Sequence, residues 1–206
     1  MAHLSILGTG NMGQAIAAVA GKGGHTVQLL GQDDIDSPVT GEIVVLAVPY
    51  PAIADVIAER GESLAGKIVV DITNPLNFET FDGLVVPADS SAAAEIAAAL
   101  PESRVLKAFN TTFAATLSAG TVGPLTTTVL IAGDDADAKA TVTRLFDEIG
   151  YDTLDLGPLA EGWRTQPGQP AYGLQYARDE ADWTAGARPV SSDELAGRAV
   201  RATREA

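Results

Sequence analysis

Short apolar runs recur along this chain, each closed by a glycine, a proline or a polar turn, and stretches with helical spacing lie between most of them. The first run, His3 to Leu7, stops at Gly8 and reads as a short buried strand. Met12, Ile16 and Val19 then recur at helical spacing to about Ala20, with Asn11 placed as the cap and Gly21, Gly23 and Gly24 as terminators. Thr26 to Leu30 predicts a second strand. Gly31 to Gly41 is polar and broken by Pro38, too interrupted for a full crossover helix. Glu42 to Val48 is a continuous apolar strand, the pattern of one buried on both faces, and Pro49 and Pro51 open a helix running to about Arg60. Lys67 to Ile72 predicts the next strand and Thr73-Asn74-Pro75 its turn. Ser91 caps an alanine-rich helix that ends near Leu100. Arg104 to Ala108 and Thr127 to Ala132 read as strands, Asp135 to Ile149 as a helix stopped by Gly150, and Thr153 to Leu156 as the last strand.

Strand and helix alternate, which predicts an α/β fold: a doubly wound, mainly parallel sheet covered on both faces. The pattern changes after Leu159. Pro167, Gly168 and Pro170 interrupt the chain, and Ser191 to Ala206 reads as a terminal helix with a Ser191…Glu194 capping box. Two units are expected: a domain over 1–159 and a short, mainly helical C-terminal appendage over 160–206.

Composition narrows the chemistry. The absence of cysteine removes disulfides, thiol nucleophiles and iron–sulfur ligation, and His3 and His25, the only histidines, leave little for a metal site or a triad. With 27 acidic against 13 basic residues the net charge is −14, which argues against nucleic acid or an anionic membrane as partner. No run approaches the ~18 apolar residues of a membrane span, and Met1-Ala2-His3 does not resemble a secretory leader. A cytoplasmic protein is expected.

The strongest local signal is Gly8-Thr9-Gly10-Asn11-Met12-Gly13. It matches G-x-G-x-x-G, follows a strand and opens a helix, the context that pattern requires, and makes 1–159 a Rossmann-like dinucleotide-binding domain. Gly8 permits the tight turn, Gly10 lets the backbone approach a pyrophosphate, and Gly13 lets helix and strand pack closely. The free amides and dipole of the helix start supply a positive site on an otherwise anionic chain. The choice of dinucleotide stays open at this level. Asp33 has the separation of an NAD site's acid, yet the strand-end position is Gly31. Gly31 and Gln32 leave space for the 2′-phosphate of NADP(H), but no Arg or Lys adjoins them in sequence.

Three further strand ends carry small or amide-bearing residues where a nicotinamide would lie: Ala47-Val48-Pro49-Tyr50, Thr73-Asn74-Pro75-Leu76-Asn77 and Ala108-Phe109-Asn110-Thr111-Thr112. Asn74 and Asn110 can each donate and accept hydrogen bonds, as a carboxamide requires. No catalytic acid–base constellation accompanies them. His25 and His3 suit turn or packing roles, Ser90, Ser91 and Ser118 have no histidine partner in sequence, and Asp71 suits bonding to backbone amides. A reaction here would be carried by cofactors.

Ile6 to Gln14, Ala47 to Tyr50, Val70 to Leu76, Ala88 to Ala93, Val105 to Thr111 and Asp155-x-Gly157-Pro-Leu159 together resemble the NADP-dependent deazaflavin (coenzyme F-420) oxidoreductase family. They are similar also to the reductase domain of the six-transmembrane metalloreductases. The resemblance covers about 1–159. It implies NADP(H), or NAD(H), held on Gly8, Thr9, Gly10, Asn11, Met12 and Gly13, with Gly31 and Gln32 beside the ribose. Ala47, Val48, Pro49, Asn74, Pro75, Phe109 and Asn110 would line the nicotinamide. It further implies coenzyme F-420, FMN or FAD as second substrate, direct hydride transfer between rings, and a homodimer. Gly31-Gln32-Asp33 stands where NADP-preferring members carry a Ser-Arg pair, and Thr165 to Pro170 interrupts a helix that members continue. The appendage's Trp163, Tyr172, Tyr176 and Trp183 are expected to offer a flat apolar wall. A non-catalytic redox sensor and a reductase of a small imine or keto acid are the competing readings.

Overall fold

The computed structural model describes residues 1–80, 83–173, 177 and 186–204. The first half runs β1 (His3–Leu7), α1 (Asn11–Lys22), β2 (Thr26–Leu30), β3 (Ile43–Leu46), α2 (Ile53–Leu64), β4 (Ile68–Asp71), α3 (Ala92–Ala99) and β5 (Arg104–Lys107). The second runs α4 (Ala114–Ala119), the hairpin β6 (Thr121–Val122) and β7 (Leu125–Thr126), β8 (Thr128–Gly133), α5 (Ala136–Glu148), β9 (Asp152–Asp155) and α6 (Ser192–Val200). One seven-stranded sheet has the order β2-β1-β3-β4-β5-β8-β9. The expected doubly wound, mainly parallel α/β architecture with a helical C-terminal piece is what forms.

The strands β3, β4 and β8 are buried throughout, because helices cover both faces. Alternate residues divide between two layers. Leu4, Ile6, Val45, Val70 and Leu106 pack with Ile16 of α1 and Phe146 of α5 on one face. Leu7, Val44, Leu46 and Val69 pack with Leu64 of α2 and Ile96 of α3 on the other. The C-terminal piece adds a third cluster, with Val190, Leu195 and Ala199 against Leu130 of β8 and the half-buried Leu154 and Leu156.

Several local readings need correction. Asn11 does not cap α1; it is the first helical residue, and the cap position is Gly10, which has no side chain to offer. The proline pair after β3 makes a 3₁₀ turn over Tyr50–Ala52, so α2 begins only at Ile53. Ser191 does accept from the Glu194 amide at 3.2 Å, but the Glu194 carboxylate turns to Arg198 at 2.9 Å instead of closing the box. Ser91 and Asp135 cap α3 and α5 through the amides of Ala94 (3.1 Å) and Ala138 (2.7 Å).

Parallel pairing also fails at one point, where β8 runs antiparallel to β5. The connection contains α4, which the periodicity did not reveal. Gly120, in the left-handed region at φ 72°, stops α4 at six residues, about 9 Å of helix and too short to recross the sheet. The hairpin β6–β7 then turns the chain back at the same rim. Only Leu106↔Gly133 and Lys107↔Ala132 pair across the junction, so the rest of β8 overhangs the carboxyl ends of the parallel strands.

Candidate functional site

The turn between β1 and α1 is fixed by contacts that exclude side chains. Gly8 has φ 119°, and a Cβ there would collide with the Ala47 carbonyl at the end of β3. A Cβ on Gly13 would collide with the Gly8 carbonyl, so α1 sits directly on the turn. Gly10 differs: nothing lies within 4 Å of its Cβ position, and its side of the turn is open. With no capping side chain and no acid in the first turn of α1, the leading amides are free for an anion. Thr9, Gly10 and Asn11 are exposed, and Met12 is half-buried beside them. This cradle fits a pyrophosphate.

Beside it, β2 ends at Gly31, whose amide donates to the Asp34 carboxylate at 2.8 Å. The position a Gly31 side chain would fill faces the Thr9 methyl at 3.3 Å. Gln32 is exposed at the head of a short 3₁₀ turn, Gln32–Asp34. Arg60, buried on α2, reaches this loop and donates to the carbonyls of Ser37 (2.9 Å) and Asp34. Its distance in sequence hid that contact.

The other strand ends gather on the same rim. The Ala47 amide donates to the Leu7 carbonyl at 2.8 Å, which brings Ala47 and Val48 next to Gly8, with Pro49 following in the chain. Phe109 adopts φ 59°, an unusual angle for a side-chain-bearing residue, and its buried ring meets Phe146 edge-on at 4.5 Å. That left-handed residue precedes Asn110, which reaches Asn74 beyond the end of β4. The two asparagines meet: the Asn110 amide donates to Asn74 Oδ1 (3.1 Å) and to the Thr165 carbonyl (2.7 Å), while Asn74 donates to the Asn110 carbonyl (3.2 Å). They form a brace across β4 and β5.

Beneath the brace lies a pair that local reading passed over. Asp71 and Lys107 are both fully buried and joined at 2.8 Å. Lys107 also donates to the Thr73 carbonyl, and Asp71 accepts from the Thr73 amide at 2.7 Å, so both charges clamp the turn that leads to Asn74. Burial pushes the Lys107 ammonium below the usual lysine range, against the opposing pull of Asp71. The sequence did hold a signal. Asp71 and Lys107 are the last residues of adjacent apolar strands and occupy the same rung.

The segment after Leu159 lies across these ends. Gly162 rests on the Lys107 stem, and Gln166 accepts from the Ala92 amide at 3.0 Å at the start of α3. Trp163 does not present a bare face: the guanidinium groups of Arg164 and Arg204 lie 4.9 and 5.0 Å from its ring centre. Tyr172 is partly buried, and burial raises its phenol above the usual range. Tyr176 and Trp183 lie outside the described residues. Among the described residues, no cluster of three potential metal ligands occurs and no helix is long and apolar enough to cross a membrane.

Comparison with known proteins agrees with this picture. Residues 36–75 match the family model described as NADP oxidoreductase, coenzyme F420-dependent. The chain is 33% identical over 140 residues to the F420-dependent NADP reductase of Methanocaldococcus jannaschii, covering 66% of this chain and 62% of that protein. It is also 33% identical over 129 residues to rat metalloreductase STEAP3, covering 63% of this chain and 24% of that one. The match therefore spans less than two thirds of either curated relative. A crystal structure of a candidate F420-dependent NADP reductase from Arthrobacter sp. FB24 superposes with a TM-score of 0.66 at 29% identity, covering 76% of this chain and 85% of that one. Protein SMa0349 of Sinorhizobium meliloti gives a TM-score of 0.71 at 27% identity, over 84% and 94% of the two chains. Sequence blocks, fold and relatives converge, and the chain is similar to members of the coenzyme F420-dependent NADP oxidoreductase family.

Proposed function

We propose that this protein is an oxidoreductase that binds a nicotinamide dinucleotide on the Gly8–Gly13 turn and exchanges hydride between it and a deazaflavin or flavin. The observation that carries the reading is the uncapped start of α1, held on a turn where Gly8 and Gly13 admit no side chain and Gly10 leaves the approach open. The relatives' names favour NADP(H) with coenzyme F420, and FMN or FAD is the alternative acceptor. On the same reading 1–159 is the dinucleotide-binding domain, and 160–206 closes the acceptor's side within a cytoplasmic homodimer.

A bound dihydronicotinamide would supply hydride, two electrons with one proton, and the second proton needed to balance reduction of a flavin-type acceptor would come from solvent. The residues of this chain bind and orient. The α1 amides hold the diphosphate, Ala47, Val48 and Pro49 flank the path to the ring, and the Asn74–Asn110 brace fixes the floor beyond β4 and β5. Hydride transfer between two rings requires no side chain to move a proton, and the buried Asp71–Lys107 pair is engaged in clamping the Thr73 turn. The test is spectroscopic: the protein is mixed with NADPH or NADH and either F420 or FMN. Loss of the nicotinamide absorbance at about 340 nm is expected with one acceptor. Binding without turnover would favour the sensor reading, which the cation-covered face of Trp163 supports.

A further inference from the structure

The end of β2 is where a Rossmann site distinguishes a ribose 2′-hydroxyl from a 2′-phosphate. Here the strand-end residue, Gly31, contributes no side chain. A Cβ at Gly31 would lie 3.3 Å from the Thr9 methyl, 3.6 Å from Asp34 Oδ2 and 3.7 Å from the Thr9 hydroxyl, so Thr9 and Asp34 together occupy the strand end. Asp34 reaches that place by folding back over the 3₁₀ turn, where Oδ2 accepts from the Gly31 amide at 2.8 Å. A carboxylate supplied from three residues downstream thus stands at the strand end, beside Thr9 of the glycine turn.

Of the acids in this loop, Asp34 is the one bonded to the strand-end amide. Asp33, which sequence spacing favoured, is exposed, as are Gln32 and Asp36, whereas Asp34 is half-buried. The nearby cation, Arg60, directs its donors to the backbone carbonyls of Ser37 and Asp34, which fixes the turn and leaves the carboxylate bonded to Gly31.

Resting on the dinucleotide reading above, we infer that Asp34 sets the coenzyme preference of this chain: its carboxylate accepts from the ribose hydroxyl of NAD(H) and repels the 2′-phosphate of NADP(H). The relatives' NADP preference does not carry over to this chain. Charge of like sign a few ångströms away opposes the phosphate, and the same oxygen is an acceptor for a hydroxyl.

Calorimetric titration of the full chain with NADH and with NADPH, without acceptor, tests this directly. NADH is expected to bind on the order of tenfold or more tightly than NADPH at low ionic strength, and the gap should narrow as salt screens the repulsion. Asp34→Asn keeps an acceptor for the Gly31 amide and removes the charge, so it should bring the two coenzymes to within a few-fold of each other. Asp33→Asn should leave their ratio unchanged. Equal or tighter NADPH binding by the wild type overturns the inference, as does an unchanged ratio in Asp34→Asn. Should that variant fail to fold by circular dichroism, the wild-type ratio and its salt dependence decide. Failure of both coenzymes to bind the wild type would overturn the function proposed above, an outcome distinct from a reversed preference.

Discussion

At the start of α1 the candidate site is made of backbone, whereas at the ends of β4 and β5 it is made of side chains that find one another across the sheet. The first region works through what is missing: no Cβ on Gly8 or Gly13, no cap on the helix and no acid in its first turn. The second works through what is added, namely a buried ion pair, an asparagine brace and a carbonyl lent by Thr165. A backbone cradle tolerates change where it faces ligand and none where it faces protein. A side-chain network is costly to interrupt anywhere, because each partner it loses leaves a buried polar group unanswered.

Interrupting the ion pair should have the largest effect on stability. Lys107→Met leaves the Asp71 carboxylate buried without its partner, and denaturant unfolding should show a loss of about 3–5 kcal/mol. The double variant Asp71→Asn, Lys107→Met should lose less than the single one. Gly13→Ala comes next: its methyl meets the Gly8 carbonyl, and overpacking of this kind costs about 1–3 kcal/mol along with weakened coenzyme binding. Asn110→Ala opens the brace and strands the Thr165 carbonyl, a loss of about 1–2 kcal/mol by the same measurement.

Tyr151 gives a pH-dependent contrast on the side-chain half. Its hydroxyl donates to the Leu117 carbonyl at the end of α4, and burial pushes its pKa up to about 12, above the ordinary value of 10.0. The neutral phenol is therefore favoured by folding. Its contribution is complete below about pH 10 and is lost as pH rises towards 12. Tyr151→Phe should flatten that part of the stability–pH curve. The smallest effect on stability, within about 0.5 kcal/mol, is expected for Gly10→Asp, since nothing surrounds the new side chain. Coenzyme binding should nevertheless be abolished, because the new carboxylate occupies the anion's approach.

The same contrast explains what could be read from the sequence. The Gly8–Gly13 spacing, the apolar strands and the serine caps are local patterns, and each announced its element. Asp71 and Lys107 are 36 residues apart, as are Asn74 and Asn110. Asn110 and Thr165 are 55 apart. Only the register of β4 on β5 and the return of the chain after Leu159 bring such groups together. The six-residue α4 was missed because one and a half turns between threonine-rich flanks carry too few apolar repeats to show a period. Asp33 has the spacing of a strand-end acid, but spacing counts residues and takes no account of the 3₁₀ turn that folds Asp34 back onto the Gly31 amide.

The two rungs joining β8 to β5 have a dynamic consequence. Every other pair of neighbours in the sheet shares at least four, so this seam is the thinnest line of backbone pairing through the seven-stranded sheet. Native-state hydrogen exchange should show its amides opening before those of β3 and β4, with β8 and β9 loosening as one cooperative unit while the coenzyme cradle stays closed.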